Sequence, residues 1–128
     1  MSTESPSQVE TLDVLVADDE PDVASSTADI LRSEGLSART AGTVQEARQL
    51  IATRDVRSII LDHQIAGDGE SLLAGDLDLP PIVVMSGMDR DALDELQVLH
   101  GGRLFACLAK PVSPPHLIAV VQAAIAAR

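Results

Sequence analysis

A chain of 128 residues, 45% of them hydrophobic, can close one domain around a proper core and is too short for two of ordinary size. Twenty acidic against nine basic residues give a formal charge of −11, which repels nucleic-acid phosphates and anionic membrane surfaces, so neither is expected as a partner. A single cysteine, Cys107, allows no internal disulfide or zinc cluster, and one Phe with no Trp or Tyr leaves no stacking platform for single-stranded nucleic acid.

The first ten residues are polar, hold Pro6 and two acids, and lack the basic start and apolar stretch of a secretory signal. They are expected to form a disordered tail (1–10) ahead of one domain (11–128). No apolar run approaches the roughly 20 residues of a membrane helix, and a cytoplasmic, reducing location is expected.

Val14-Leu15-Val16-Ala17 is a short apolar run ending in Asp18-Asp19-Glu20, and Pro21 then favours a first helical turn. Val23, Thr27, Ile30 and Leu31 recur at helical spacing, with Gly35 as a left-handed cap. A second strand is expected over Leu36 to Thr40. Thr43-Val44-Gln45-Glu46 is a capping-box pattern opening a helix with Ala47, Leu50 and Ile51 inward.

The third strand is the run Val56-Arg57-Ser58-Ile59-Ile60-Leu61, which ends abruptly at Asp62. After it, Gly67-Asp68-Gly69 reads as a turn and Glu70 to Ala74 as a short helix. Pro80-Pro81 precedes a fourth strand, Ile82-Val83-Val84-Met85, ending at Ser86-Gly87. Asp89 is placed to cap a helix with Ala92, Leu93, Leu96 and Leu99 inward, closed by His100-Gly101-Gly102. The fifth strand, Leu104 to Ala109, ends at Lys110-Pro111. Ser113 and Pro114 open a final helix carrying Leu117, Ile118, Val121, Ala124 and Ile125 on one face.

Apolar runs this continuous suit a parallel sheet covered by helices on both faces. Five strands alternating with five helices predict an α/β, three-layer, doubly wound (βα)5 flavodoxin-like fold with strand order 2-1-3-4-5. In such sheets functional groups gather beyond the carboxyl ends of the strands. Those ends carry Asp18 and Asp19, Asp62, Ser86 and Lys110. Three carboxylates brought together call for a hard cation such as Mg²⁺, while a hydroxyl and an ammonium beside them suit a phosphoryl group. The Asp62 carboxylate would be the nucleophile, forming an aspartyl phosphate.

Leu15-Val16-Ala17-Asp18-Asp19-Glu20, Ile59-Ile60-Leu61-Asp62, Val83-Val84-Met85-Ser86-Gly87 and Leu108-Ala109-Lys110-Pro111, in that order, make the chain resemble the receiver domain of bacterial two-component response regulators over about residues 12 to 126. The resemblance implies a phosphoacceptor Asp62 and Mg²⁺ held by Asp19, Asp62, the backbone carbonyl of Gln64 and, through water, Asp18. It implies Ser86 and Lys110 on the phosphoryl group and a cis Lys110-Pro111 bond. It further implies transfer from a histidine kinase or histidine phosphotransfer domain, slow self-dephosphorylation rather than enzymatic turnover, and a downstream protein target. With no residues left over for an output domain, the expectation is a stand-alone receiver, monomeric or weakly dimeric, or one excised from a longer regulator.

Two departures bear on output. Ile65-Ala66 stand where the family has Met-Pro, ahead of a turn one residue shorter, and Cys107 occupies the usual aromatic switch position, with Phe105 two residues earlier. Signalling through the Ser86 to Leu93 segment is expected instead.

Taken singly, the same residues have plainer readings. Asp18-Asp19-Glu20 fits an acidic helix cap, Ser86 a turn, Lys110 a solvated loop, Cys107 a small buried hydrophobe, and His63 a solvent-facing loop residue. Asp89, Asp91, Asp94 and Glu95 fit a solvated helix face. Two other functions share the acid pocket: a small Mg²⁺-dependent phosphatase with an aspartyl-phosphate intermediate, although Gln64 stands where its second acid belongs, and a non-phosphorylated docking module.

Overall fold

The computed structural model describes residues 10–62, 79–87, 91, 94–95 and 104–127. Its centre is a five-stranded, all-parallel sheet of β2 (Val14–Ala17), β3 (Ala38–Ala41), β5 (Ile59–Asp62), β6 (Ile82–Ser86) and β7 (Leu104–Ala109). The order is β3-β2-β5-β6-β7, which is the expected 2-1-3-4-5 once two short flanking strands, β1 (Thr11–Leu12) and β4 (Asp55–Val56), are set aside.

Every residue of β2, β5 and β6 is buried, as strands covered on both faces must be. One face packs Leu15, Ile59, Leu61, Ile82 and Val84 against Val44 and Ala47 of α2 (Val44–Thr53). The other packs Val14, Val16, Ile60 and Val83 against α1 (Pro21–Ser33) and α3 (Pro114–Ala126), through Ala24, Ala28 and Leu31 and through Leu117, Val121 and Ala124.

The third strand is not continuous as expected. β1 pairs with β4 and β2 with β5, and both ladders keep one register, Thr11↔Asp55 and Leu15↔Ile59, so they are one parallel pair interrupted between. At the interruption Arg57 N–H donates to Leu12 O (2.9 Å) and Leu15 N–H to Ser58 O (3.0 Å). Fully buried Ser58 donates its hydroxyl to Asp13 O (2.7 Å). A side chain thus satisfies a half-buried carbonyl at the break in the ladder.

The caps follow local chemistry. α1 ends in two closing bonds, Leu36 N–H to Leu31 O (3.2 Å) and Gly35 N–H to Arg32 O (3.0 Å), which require Gly35 at φ +86°. Its buried side is Ala24, Thr27, Ala28 and Leu31, with Val23 and Ile30 only half-buried. This face is turned from the expected one, with Ala24 and Ala28 in the core cluster where Val23 and Ile30 were expected. Thr43 Oγ1 accepts from Glu46 N–H (3.1 Å), and Glu46 Oε1 reaches past the cap to Gly42 N–H (3.0 Å). Ser113 caps α3 by accepting from His116 N–H (3.4 Å).

β7 carries an irregularity: Ile82 pairs with Leu104 but Val83 with Ala106, leaving Phe105 as the extra residue, 40% exposed. Asp91, Asp94 and Glu95 are helical and exposed, as a solvated face requires. No helix among the described residues is long and apolar enough to cross a membrane. The expected turn at 67–69, the short helix at 70–74, the apolar residues of the helix over 92–99, Asp89, His100 and the first nine residues lie outside the described residues.

Candidate functional site

The parallel registers bring the carboxyl ends of four strands to one edge of the sheet. Ala17 faces Leu61, Asp62 faces Met85, and Ser86 faces Ala109. Asp18 therefore follows β2 directly beside Asp62, the last residue of β5. Both are almost fully buried, at 6% exposure each, whereas Asp19 is exposed at the rim.

Asp18, Asp19 and Asp62 each offer a carboxylate oxygen, and these oxygens all lie within 4.8 Å of one another. Among the described residues this is the one group of acids, His and Cys placed to hold a metal ion. Lys110 reaches over the pair from the end of β7, with Nζ 3.7 Å from Asp62 Oδ2 and 3.8 Å from Asp18 Oδ2. Both separations exceed a hydrogen bond but keep ion-pair range, so one ammonium faces the two buried carboxylates. Its backbone N–H donates to Ser86 O (2.8 Å), and the Lys110-Pro111 bond is cis.

Electrostatics at the site follow from burial and from the neighbouring carboxylate charge. Burial pushes the Asp18 carboxyl up from its ordinary value, and the neighbouring Asp62 charge adds to the shift. The Glu20 N–H bond to Asp18 Oδ1 (2.9 Å) and the Lys110 charge work against it. Three carboxylate oxygens within 4.8 Å of one another are the hard donors that Mg²⁺ selects, so the residues present fit such an ion.

The structure thus gathers Asp18, Asp19, Asp62, Ser86 and Lys110 at one edge, with Ser86 at 1% exposure as the last residue of β6. Gln64, His63 and the Ile65-Ala66 segment lie outside the described residues, as do residues 88–90 and 92–93 of the segment expected to relay the signal. Cys107 is half-buried and packs against the core face that holds Val84 and Leu104. Two contributors escaped the sequence reading: the Glu20 amide, and the Ala41 carbonyl that accepts from Asp18 N–H (2.9 Å). Both act through the backbone, which leaves no side-chain signature.

Comparison with known proteins agrees with this geometry. The family model described as response regulator receiver domain matches residues 14–122. The chain is 33% identical over 119 residues to the nitrogen assimilation regulatory protein NtrX of Azorhizobium caulinodans, covering 88% of this chain and 26% of that protein. Similarity to the putative response regulator NtrX-like of Rickettsia bellii is 33% over 82 residues, covering 59% of this chain and 17% of that one. The chain therefore spans about a quarter or less of the length of these curated relatives. The crystal structure of the receiver domain of NtrX from Brucella abortus superposes with a TM-score of 0.76 at 30% identity, over 90% of this chain and 99% of that one. The Francisella response regulator 1452 receiver domain gives 0.79 at 27% identity, over 92% and 98%. With the fold, the order of the strand-end motifs and these likenesses in agreement, the chain belongs to the response regulator receiver domain family.

Proposed function

We propose that the domain accepts a phosphoryl group on Asp62 from the phosphohistidine of a histidine kinase or histidine phosphotransfer domain, and signals by changing its contacts with a downstream protein. The observation that carries this reading is the placing of Asp18, Asp19 and Asp62 within 4.8 Å of one another beneath Lys110.

An oxygen of Asp62 attacks phosphorus, the P–N bond to the donor imidazole breaks, and the electron pair returns to that nitrogen; because the other ring nitrogen carries a proton, the donor leaves as a neutral imidazole. Asp19, Asp62 and the Gln64 carbonyl, with Asp18 acting through water, would hold Mg²⁺, which would supply charge neutralisation for the transferring oxygens. Lys110 provides a compact positive charge for one phosphoryl oxygen and Ser86 a hydroxyl for another. Burial of Asp62 keeps bulk water from its carboxylate and favours attack along one direction. Hydrolysis of the acyl phosphate by water releases inorganic phosphate and regenerates the carboxylate.

The discriminating experiment offers the domain two donors in Mg²⁺: a phosphorylated histidine phosphotransfer domain and p-nitrophenyl phosphate. The receiver reading expects one phosphoryl group per chain from the first and no sustained release of nitrophenol from the second. Multiple turnovers of the nitrophenyl ester would establish the phosphatase instead, and no labelling from either would leave the docking module.

A further inference from the structure

Asp18 is held from two sides. Its carboxylate accepts from Glu20 N–H (2.9 Å), and its own N–H donates to Ala41 O (2.9 Å). Ala17↔Ala41 is the last pair of the ladder between β2 and β3, so the peptide joining Ala41 to Gly42 stands at the end of the sheet, beside the acid pocket. That one peptide carries both the oxygen that accepts from Asp18 and the Gly42 N–H, which donates to Glu46 Oε1 at 3.0 Å. A trans peptide is planar, and its C=O and N–H point in opposite directions. Fixing the N–H therefore aims the carbonyl.

A chain of bonds thus runs from the Glu46 carboxylate, through one peptide, to the amide of Asp18, and each bond polarises the next. Its outer end is anchored, because Glu46 N–H donates to Thr43 Oγ1 (3.1 Å) at the head of α2. Gly42 leaves the carboxylate its place: a Cβ built there stands 3.3 Å from Glu46 Oε1, so a side chain would crowd it. Ala41 is buried and Glu46 exposed. The bond to Gly42 is charge-assisted but open to water, and its effect on the pocket is correspondingly modest.

We propose that Glu46 is a positioning residue for Asp18. Through the Ala41–Gly42 peptide it sets where the Asp18 carboxylate stands against those of Asp19 and Asp62, and so tunes the affinity of the acid pocket for Mg²⁺. The inference rests on the reading of these three acids as the Mg²⁺ site of a phosphoacceptor. Because Glu46 acts through another residue, its loss changes the Mg²⁺ dependence of phosphorylation and not the rate at saturating Mg²⁺.

The test is two-dimensional amide NMR of the full chain, first without metal and then across a Mg²⁺ titration, for wild type, Glu46→Gln, Glu46→Ala and Gly35→Ala. Gln keeps the acceptor oxygen, Ala removes it, and Gly35→Ala strains the closing turn of α1 as a measure of general destabilisation. In the metal-free domain Glu46→Ala moves the Asp18 amide proton upfield, as a weakened bond to Ala41 O requires, and Glu46→Gln brings it back towards the wild-type position. Mg²⁺ affinity falls about fivefold in Glu46→Ala, less than when a direct partner of a metal ligand is removed, and by under about twofold in Glu46→Gln and Gly35→Ala. Labelling by acetyl phosphate slows in Glu46→Ala at limiting Mg²⁺ and matches wild type at saturating Mg²⁺. An unmoved Asp18 amide in Glu46→Ala, or an equal loss of affinity in Glu46→Gln or in Gly35→Ala, would each overturn the proposal. A wild type that binds Mg²⁺ and takes no label counts against the phosphoacceptor reading alone, since the amide shift and the affinities still decide the role of Glu46.

Discussion

Lys110 Nζ stands 3.7 Å from Asp62 Oδ2, reaching from the end of β7 across β6 to the end of β5, while its backbone N–H is anchored to Ser86 O at 2.8 Å. A fixed main chain with a side chain just out of contact leaves room between ammonium and carboxylate. Replacing Lys110 by Met keeps the stem and removes the charge. The domain should lose about 1–2 kcal/mol in urea unfolding without Mg²⁺, because two buried carboxylates lose the ammonium that stands 3.7 and 3.8 Å from them. Mg²⁺ affinity should rise as the competing cation disappears, while acceptance of a phosphoryl group collapses. Unchanged phosphorylation in this variant would remove Lys110 from the proposed chemistry.

Asp18 gives the pH dependence a sign. Its carboxyl is raised above the ordinary value of 3.8, first by burial and then by Asp62. The folded domain therefore holds that proton more tightly than the unfolded chain does. This contribution to stability is complete below about 3.8 and is lost as pH rises through the folded-state value. In Asp18→Asn the metal-free domain should be more stable near neutrality by about 1 kcal/mol and should lack this component of the pH profile. Melting curves of wild type and variant, taken without Mg²⁺ from acid to neutral pH, should diverge as pH increases. Parallel curves would show that the charge on Asp18 costs the fold nothing.

Backbone geometry makes a separate prediction at Gly35. Nothing lies within 4 Å of a Cβ built there, but φ is +86°, a conformation that side chains disfavour. Gly35→Ala should therefore cost about 1 kcal/mol by strain alone, and Gly35→Asn less. Chemical denaturation of the two variants separates strain from packing.

Ser58 tests the interrupted ladder. Removing its hydroxyl leaves the Asp13 carbonyl, to which it donates at 2.7 Å, without that partner. Ser58→Ala should cost about 1–2 kcal/mol, while Ser58→Thr, which keeps the donor, costs more through crowding at a position with no exposed surface. Equal stability of Ser58→Ala and wild type would mean that another group takes over the carbonyl.

The sequence made the sheet legible because Val14–Ala17, Ile59–Asp62 and Ile82–Ser86 are buried along their whole length. Such strands have no exposed face to blur the pattern. The caps at Gly35, Thr43 and Ser113 were legible because their bonds span only a few residues. The break at Arg57 and Ser58 was not, since it is fixed by a bond to Asp13 forty-five residues away. The rotated face of α1 was not legible because Ala24 and Ala28, which it buries, carry a weaker apolar signal than Val23 and Ile30. Asp18, Asp19, Asp62, Ser86 and Lys110 were readable because each follows or ends an apolar run. The ion pairs of Glu10 with Arg54 (2.7 Å) and Arg39 (3.6 Å) were not legible, since they join residues far apart in the sequence.

The most direct measurement is the intact mass of the domain after incubation with Mg²⁺ and acetyl phosphate, beside Asp62→Ala and a chelated sample. The account predicts a gain of one phosphoryl group per chain in the wild type alone, with none when Asp62 is absent or the metal is withdrawn. The same gain in Asp62→Ala, or labelling indifferent to the chelator, would contradict it.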